Sequence, residues 1–196
     1  MRWLIVVVVV VALAVFAVGG VNRIPTLDED VNARWGEVQN QYQRRADLVP
    51  NLVETVKGYA AHERETLAAV VEARAKATQT TLPKDVLTNP EAFKAFERNQ
   101  GALSQALARL LVVVERYPDL KANQNFLALQ SQLEGTENRI AVARRDYVES
   151  VRAYNIELRT IPGRWWAALL YPEAALKQSF AAGPDAQDAP KVKFGS

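Results

Sequence analysis

From Phe93 to Tyr117 the chain repeats apolar side chains at alternating steps of three and four residues: Phe93, Phe96, Gln100, Leu103, Leu107, Leu110, Val114 and Tyr117, with Gln100 the one polar member. Such a period puts one stripe along an α-helix and leaves the other faces polar, so the helix is stable only if the stripe is covered by other helices. A second stripe runs through Phe126, Leu129, Leu133, Thr136, Ile140, Ala143, Tyr147, Val151, Tyr154, Leu158 and Ile161. Its consecutive four-residue steps across 143, 147 and 151 form a stutter that relaxes the coiled-coil seam locally. This helix covers roughly forty residues, about 60 Å.

A third stripe precedes these: Val31, Trp35, Val38, Tyr42, Ala46, Val49, Val53, Val56, Ala60 and Leu67. Thr26 and Glu29 have capping-box spacing, which predicts a helix start near Leu27, and the period carries the helix to about Ala77. Pro50 removes the amide that would bond the Ala46 carbonyl, predicting a kink or restart between 46 and 50, with Asp47 as cap. "TQTTLPKDVLTNP" breaks the period, and Asn89 followed by Pro90 reads as N-cap and first helical residue of the next helix. "YPD" at 117–119 and "PGR" at 162–164 are further breaks, and "WWAALLYPEAALKQSFAA" reads as one or two short helices. No segment beyond the apolar opening run shows sustained strand-like alternation. The expectation is an all-α fold: a long antiparallel helical bundle of three long helices plus a shorter fourth element, after an N-terminal transmembrane helix.

The transmembrane assignment rests on Trp3 to Val21, "WLIVVVVVVALAVFAVGGV", uncharged and long enough to cross a hydrocarbon core of about 30 Å. A cleaved signal peptide is the competing reading, but the run is long for one and "AVG" at 17–19 is a poor cleavage site, so retention as an anchor is expected. Arg2 before the span against Arg23 after it gives a slight lean toward the amino terminus inside and the soluble part outside the cytoplasm. The domain division is then 1–22 anchor, 23–182 helical bundle and 183–196 mobile, polar tail. Three passes place Trp165 and Trp166 at the membrane-distal end of the bundle. "RWWAALLY" is therefore expected to cap the core or meet a partner there, not to rest on the bilayer that holds the span.

Catalytic chemistry finds little support. The chain has no cysteine and one histidine, and "HERET" from His62 lacks the second histidine of a zinc helix. It has no glycine-rich phosphate loop and no G-x-S-x-G elbow. A formal charge of +2 without a basic stripe speaks against nucleic acid. No catalytic residue, cofactor or metal is expected. What stands out is a polar ridge opposite the first stripe: Arg44, Asp47, Asn51, Glu54, Thr55, Gly58, His62 and Glu65 within about 100° of arc. Glycine inside a helix costs about 1 kcal/mol relative to alanine, so Gly58 suggests a close neighbour, and the ridge is a candidate partner-docking surface. A solvated outer face is the plainer reading. Arg44/Arg45/Asp47 echo Arg144/Arg145/Asp146, and with Glu137 and Arg139 they suit inter-helix pairing at the seam edges.

"QRRADLVPNLVETVKGYAAHERETL" (43–67), "YPDLKANQNFLALQSQLEGTENRIAVARRDYVESVRAYN" (117–155) and the closing residues 189–194 resemble the LemA family of bacterial membrane proteins over nearly the whole chain. The resemblance implies a single-pass membrane protein with a long helical bundle, and no catalytic residue to carry over. Some members are encoded near membrane proteases. The resulting expectation is a scaffold or interaction protein of the bacterial inner membrane, held in the bilayer through residues 3–21 and meeting an unidentified envelope protein. Homo-oligomerisation is a further option, and an accessory of a membrane protease is the alternative function.

Overall fold

The computed structural model describes residues 2–78 and 85–181. Among them it is all α-helix with connecting turns: α1 (Arg2–Lys57), α2 (Arg64–Thr78), α3 (Pro90–Val114), α4 (Pro118–Lys121), α5 (Gln124–Arg159) and α6 (Gly163–Leu170). The tail 183–196 and the motif at 189–194 lie outside the described residues, as does 79–84 of the expected period break.

Two boundaries follow the residues that predict them. Asn89 caps α3, its Oδ1 accepting from the Glu91 and Ala92 amides, with Pro90 at the first position where its missing N–H costs nothing. Asn123 caps α5 in the same way through the Phe126 amide.

The first helix departs from expectation at both ends. No restart occurs near Leu27: α1 is continuous from the apolar run into the bundle, and Thr26 donates its hydroxyl back to the Asn22 carbonyl instead of capping. The anchor boundary at 22/23 thus falls inside one helix. Pro50 does not end α1 either. The carbonyl it leaves without a donor, that of Ala46, accepts the Arg74 Nε–H from α2 at 2.8 Å. Pro25 leaves the Val21 carbonyl in the same position, and the Tyr171 hydroxyl donates to it at 3.2 Å. Each internal proline is therefore tolerated because a side chain from a different element supplies the lost hydrogen bond.

The helix ends instead at Lys57. Residues 58–63 form a turn, and α2 folds back along α1, so the bundle has four long helices where three are expected. Ala60 stays buried in this turn, its amide bonding the Val56 carbonyl. Contacts from distant residues hold the turn in place. The Glu63 carboxylate accepts from Arg116 and from the Tyr117 hydroxyl, both at 2.9 Å, and Asn123 donates to the Tyr59 hydroxyl.

Cross-helix contacts give the directions. Trp35 lies against Phe93 and Tyr147, Arg45 meets Gln100 and Glu137, and Arg23 pairs with Glu157. Thus α3 runs parallel to α1, away from the span, whereas α2 and α5 run back toward it. The core has two apolar layers. Near the span it is aromatic, with Trp35, Phe93, Phe96, Tyr147 and Phe180; farther out it is aliphatic, with Val49, Leu52, Leu103, Leu110 and Leu133 among its members.

A polar layer separates them. Arg45 is 1 % exposed; its guanidinium donates to the Gln100 side chain (2.6 Å) and backbone carbonyl (3.2 Å), to Ser104 (2.8 Å) and to Glu137 (3.0 Å). Gln100, the polar exception in the α3 stripe, also donates to the Ala77 carbonyl. One buried cation thus ties α1 to α3 and α5, and through Gln100 to the end of α2. A polar group at a seam position penalises shifted pairings in which it would lose its partners, and so fixes register.

Candidate interaction surfaces

The outer face of α1 carries Arg44, Asp47, Asn51 and Glu54, all exposed. Asp47 accepts from the neutral Gln43 amide at 2.7 Å and Glu54 faces Lys57 at 3.5 Å, so both carboxylates have partners along their own helix. Gly58 and His62, expected on the same ridge, lie instead in the turn beyond Lys57. A Cβ at Gly58 would meet only the Thr55 and Glu54 carbonyls, at 3.5 and 3.8 Å, ordinary contact distances, so no neighbour requires a glycine there. Gly58 follows the last residue of α1 without a left-handed backbone, and its amide still bonds the Glu54 carbonyl at 3.2 Å. His62 is exposed, and the adjacent Glu63 is engaged by Arg116 and Tyr117.

A glycine with a close neighbour does exist, at the other end of the molecule. A Cβ on Gly20 would stand 2.5 Å from the Trp166 indole nitrogen. With Tyr171 bonded to Val21 and Arg23 to Glu157 at 2.8 Å, this places α6 and the end of α5 beside the last residues of the apolar run. Trp165 and Trp166 are therefore at the end of the bundle that bears the span, not at the distal end. The extra pass made by the α1–α2 hairpin reverses the parity of every later element.

After α6 the chain is extended rather than helical, and it straps across the bundle. Lys177 exchanges hydrogen bonds with Asn155 through its own backbone, Tyr147 donates to the Gln178 carbonyl, the Gln178 amide bonds Leu87, and Phe180 inserts into the aromatic layer. Arg144, expected to pair across the seam edge, stacks on Phe180 at 4.1 Å. Glu137 does pair across to α1, and Arg139 reaches Gln41 on the same helix. The strap is held by contacts far apart in sequence, and local pattern carries no signal for it.

Beside the strap, Ile24, Asp28, Tyr154, Tyr171, Glu173 and Lys177 line an open cleft of about 390 Å³. The Lys177 ammonium is already paired with Asp28 at 2.8 Å and with Asn32 at 3.2 Å, so the cleft joins strap to bundle. Burial pushes the Tyr154 phenol up to about 12, with Asp28 and Glu173 adding to the shift, and burial raises Tyr147 further. An unfolded tyrosine ionises near pH 10, so above that the unfolded chain holds fewer protons than the folded one, and stability present below pH ~10 is lost as pH rises toward 12. Urea unfolding measured between about pH 9.5 and 11.5 should show this slope, and Tyr154→Phe should make it shallower; a slope identical in the variant would remove Tyr154 from the account.

Among the described residues no group of three or more histidine, cysteine, aspartate or glutamate side chains has metal-site geometry. What the surfaces offer is contact.

The LemA family profile matches residues 34–194. The chain belongs to the LemA family. Among curated relatives, the magnetosome proteins MamQ 1 and MamQ 2 of Paramagnetospirillum magneticum are each 28 % identical over 162 residues, covering 74 % of this chain and 60 % of theirs. MamQ of Magnetospirillum gryphiswaldense is 26 % identical over 164 residues (76 % and 60 %), and protein LemA of Metamycoplasma hominis 25 % over 144 (73 % and 61 %). This LemA-family chain thus spans about three fifths of the length of the curated relatives it matches. Among the described residues one helix, Arg2–Lys57, is long and apolar enough to cross a membrane, with its apolar window wholly exposed.

Proposed function

We propose that this LemA-family chain is a single-pass, non-catalytic interaction protein of the bacterial inner membrane, its bundle outside the cytoplasm, holding another envelope protein at a set height above the bilayer. The observation that carries this reading is the continuity of α1. The span and the outer ridge belong to one helix from Arg2 to Lys57, packed into the bundle from Ile24 onward. At 1.5 Å per residue, the ridge from Arg44 to Glu54 stands about 35 to 50 Å along that helix from Val21. A ridge held in this way is a surface of fixed distance and direction, which suits a docking role. Relatives named as magnetosome proteins support a membrane setting.

A photo-crosslinking residue placed at Asp47 or Asn51 in cells should give a discrete adduct, identifiable by mass spectrometry and lost on Glu54→Lys. A self-adduct would identify a second copy as the occupant. Uncrosslinked chain from both positions would overturn the docking role.

A further inference from the structure

α6 is apolar almost all round, and only half of it is used by the bundle. Its inner face places Trp166 against Gly20 and, with Ala167, against the aromatic layer. The other face is open: Trp165 is 62 % exposed and Leu169 72 %, and Ile161, in the turn that leads into α6, is 64 % exposed. Bundle helices of a water-surrounded protein turn a polar face outward, whereas a short helix apolar on both sides is covered by something else.

Its position says what covers it. α6 touches Gly20 and Val21, the last residues of the apolar run, through Trp166 and Tyr171. From Trp3 to Val21 the run rises about 28 Å, close to the thickness of the hydrocarbon core, so its end lies at the headgroup level. Trp3 at one end and Trp165 at the other then occupy the two interfacial zones that indole rings favour. Arg159, the last residue of α5, and Arg164, in the first turn of α6, are both exposed, placing cations near the start of this helix. Both the outer residues of α6 and the apolar window of the span are exposed.

We propose that α6 is an interfacial helix, with Ile161, Trp165 and Leu169 seated in the headgroup and acyl boundary of the same bilayer that holds the span. The bundle then touches the membrane at two points, the span and α6, which fixes its tilt where a single helix would leave it free to lean.

The chain has no cysteine, so single labels are unambiguous. Nitroxides at Leu169→Cys, Val9→Cys and Val112→Cys of the full chain, reconstituted at low density in phosphatidylethanolamine/phosphatidylglycerol vesicles, report depth by the ratio of oxygen to nickel-chelate accessibility. Position 9 gives the acyl centre, and position 112, 71 % exposed on α3, gives water. The label at 169 should fall between them, with at least threefold higher oxygen-to-nickel ratio than at 112. A ratio equal to that at 112 overturns the proposal. So does protection from both reagents with spin-spin broadening, the signature of a second copy on this face. Gly20→Leu, which displaces the Trp166 indole, should return the 169 label to the water-like ratio while the label at 9 stays buried.

Discussion

Replacing Arg45 by methionine is expected to lower the unfolding free energy of the bundle by about 3 kcal/mol, measured by urea denaturation in detergent micelles. The loss comes less from the Glu137 ion pair, whose acid is 43 % exposed, than from the buried groups left behind. Gln100 loses the donor to its side-chain oxygen, its backbone oxygen keeping the Ser104 hydroxyl, and Ser104 loses the same guanidinium. If that is the origin, changing Gln100→Leu together with Arg45→Met should recover most of the stability, since two apolar groups can join the layers above and below. The double variant should also bind its neighbours in register less strictly, visible as broadened amide resonances or faster hydrogen exchange in α5. A double variant as unstable as the single one would mean that shape, not hydrogen bonding, decides this layer.

The second large effect concerns the prolines of α1. Arg74→Met should cost about 2 kcal/mol, because the Ala46 carbonyl then has neither a helical donor nor the guanidinium. In a Pro50→Ala background the alanine amide supplies the ordinary bond, and the same Arg74 change should cost less than half as much. The coupling of about 1 kcal/mol in this double-mutant cycle is the measurement that isolates the device. Additive costs would show that Arg74 contributes by packing alone. Tyr171→Phe and Pro25→Ala form the parallel cycle at the span end, with a smaller coupling because the donor is neutral.

The α3 and α5 stripes were legible because each is a long unbroken period bounded by Asn-Pro, Tyr-Pro or Pro-Gly punctuation. Apart from the single-turn α4, the difference in helix count lies where the period does not break. Val56, Ala60 and Leu67 keep helical spacing across residues 58–63, and Ala60 is buried in the turn as it would be in a helix. Hydrophobic periodicity alone therefore cannot see this hairpin. Gly58 sits at the break, but without a left-handed backbone it is neither a glycine cap nor a site of close approach. Close approach to a helical glycine does occur at Gly20, where the neighbour is Trp166.

The candidate sites were legible only in part. Arg44, Asp47, Asn51 and Glu54 share an exposed face, as the 3.6-residue period requires. Gly58 and His62 left that face because they follow the helix end. Arg45 was visible only as one half of an echoed charge pattern, and its burial depends on partners 55 and 92 residues away.

The amino-acid order by itself determined an all-α chain with an apolar segment long enough to span a bilayer, because both follow from local spacing and hydropathy. It also determined most of the residues that line the seams; Ile161, expected at the end of the α5 stripe, lies beyond that helix and is 64 % exposed. Only the tertiary structure decided how many times the chain passes along the bundle, because the α1–α2 turn is held through its Tyr59 and Glu63 by Arg116, Tyr117 and Asn123, which are distant in the sequence. That single turn sets the parity of every later helix, and with it whether the Trp165–Trp166 helix stands far from the span or beside it.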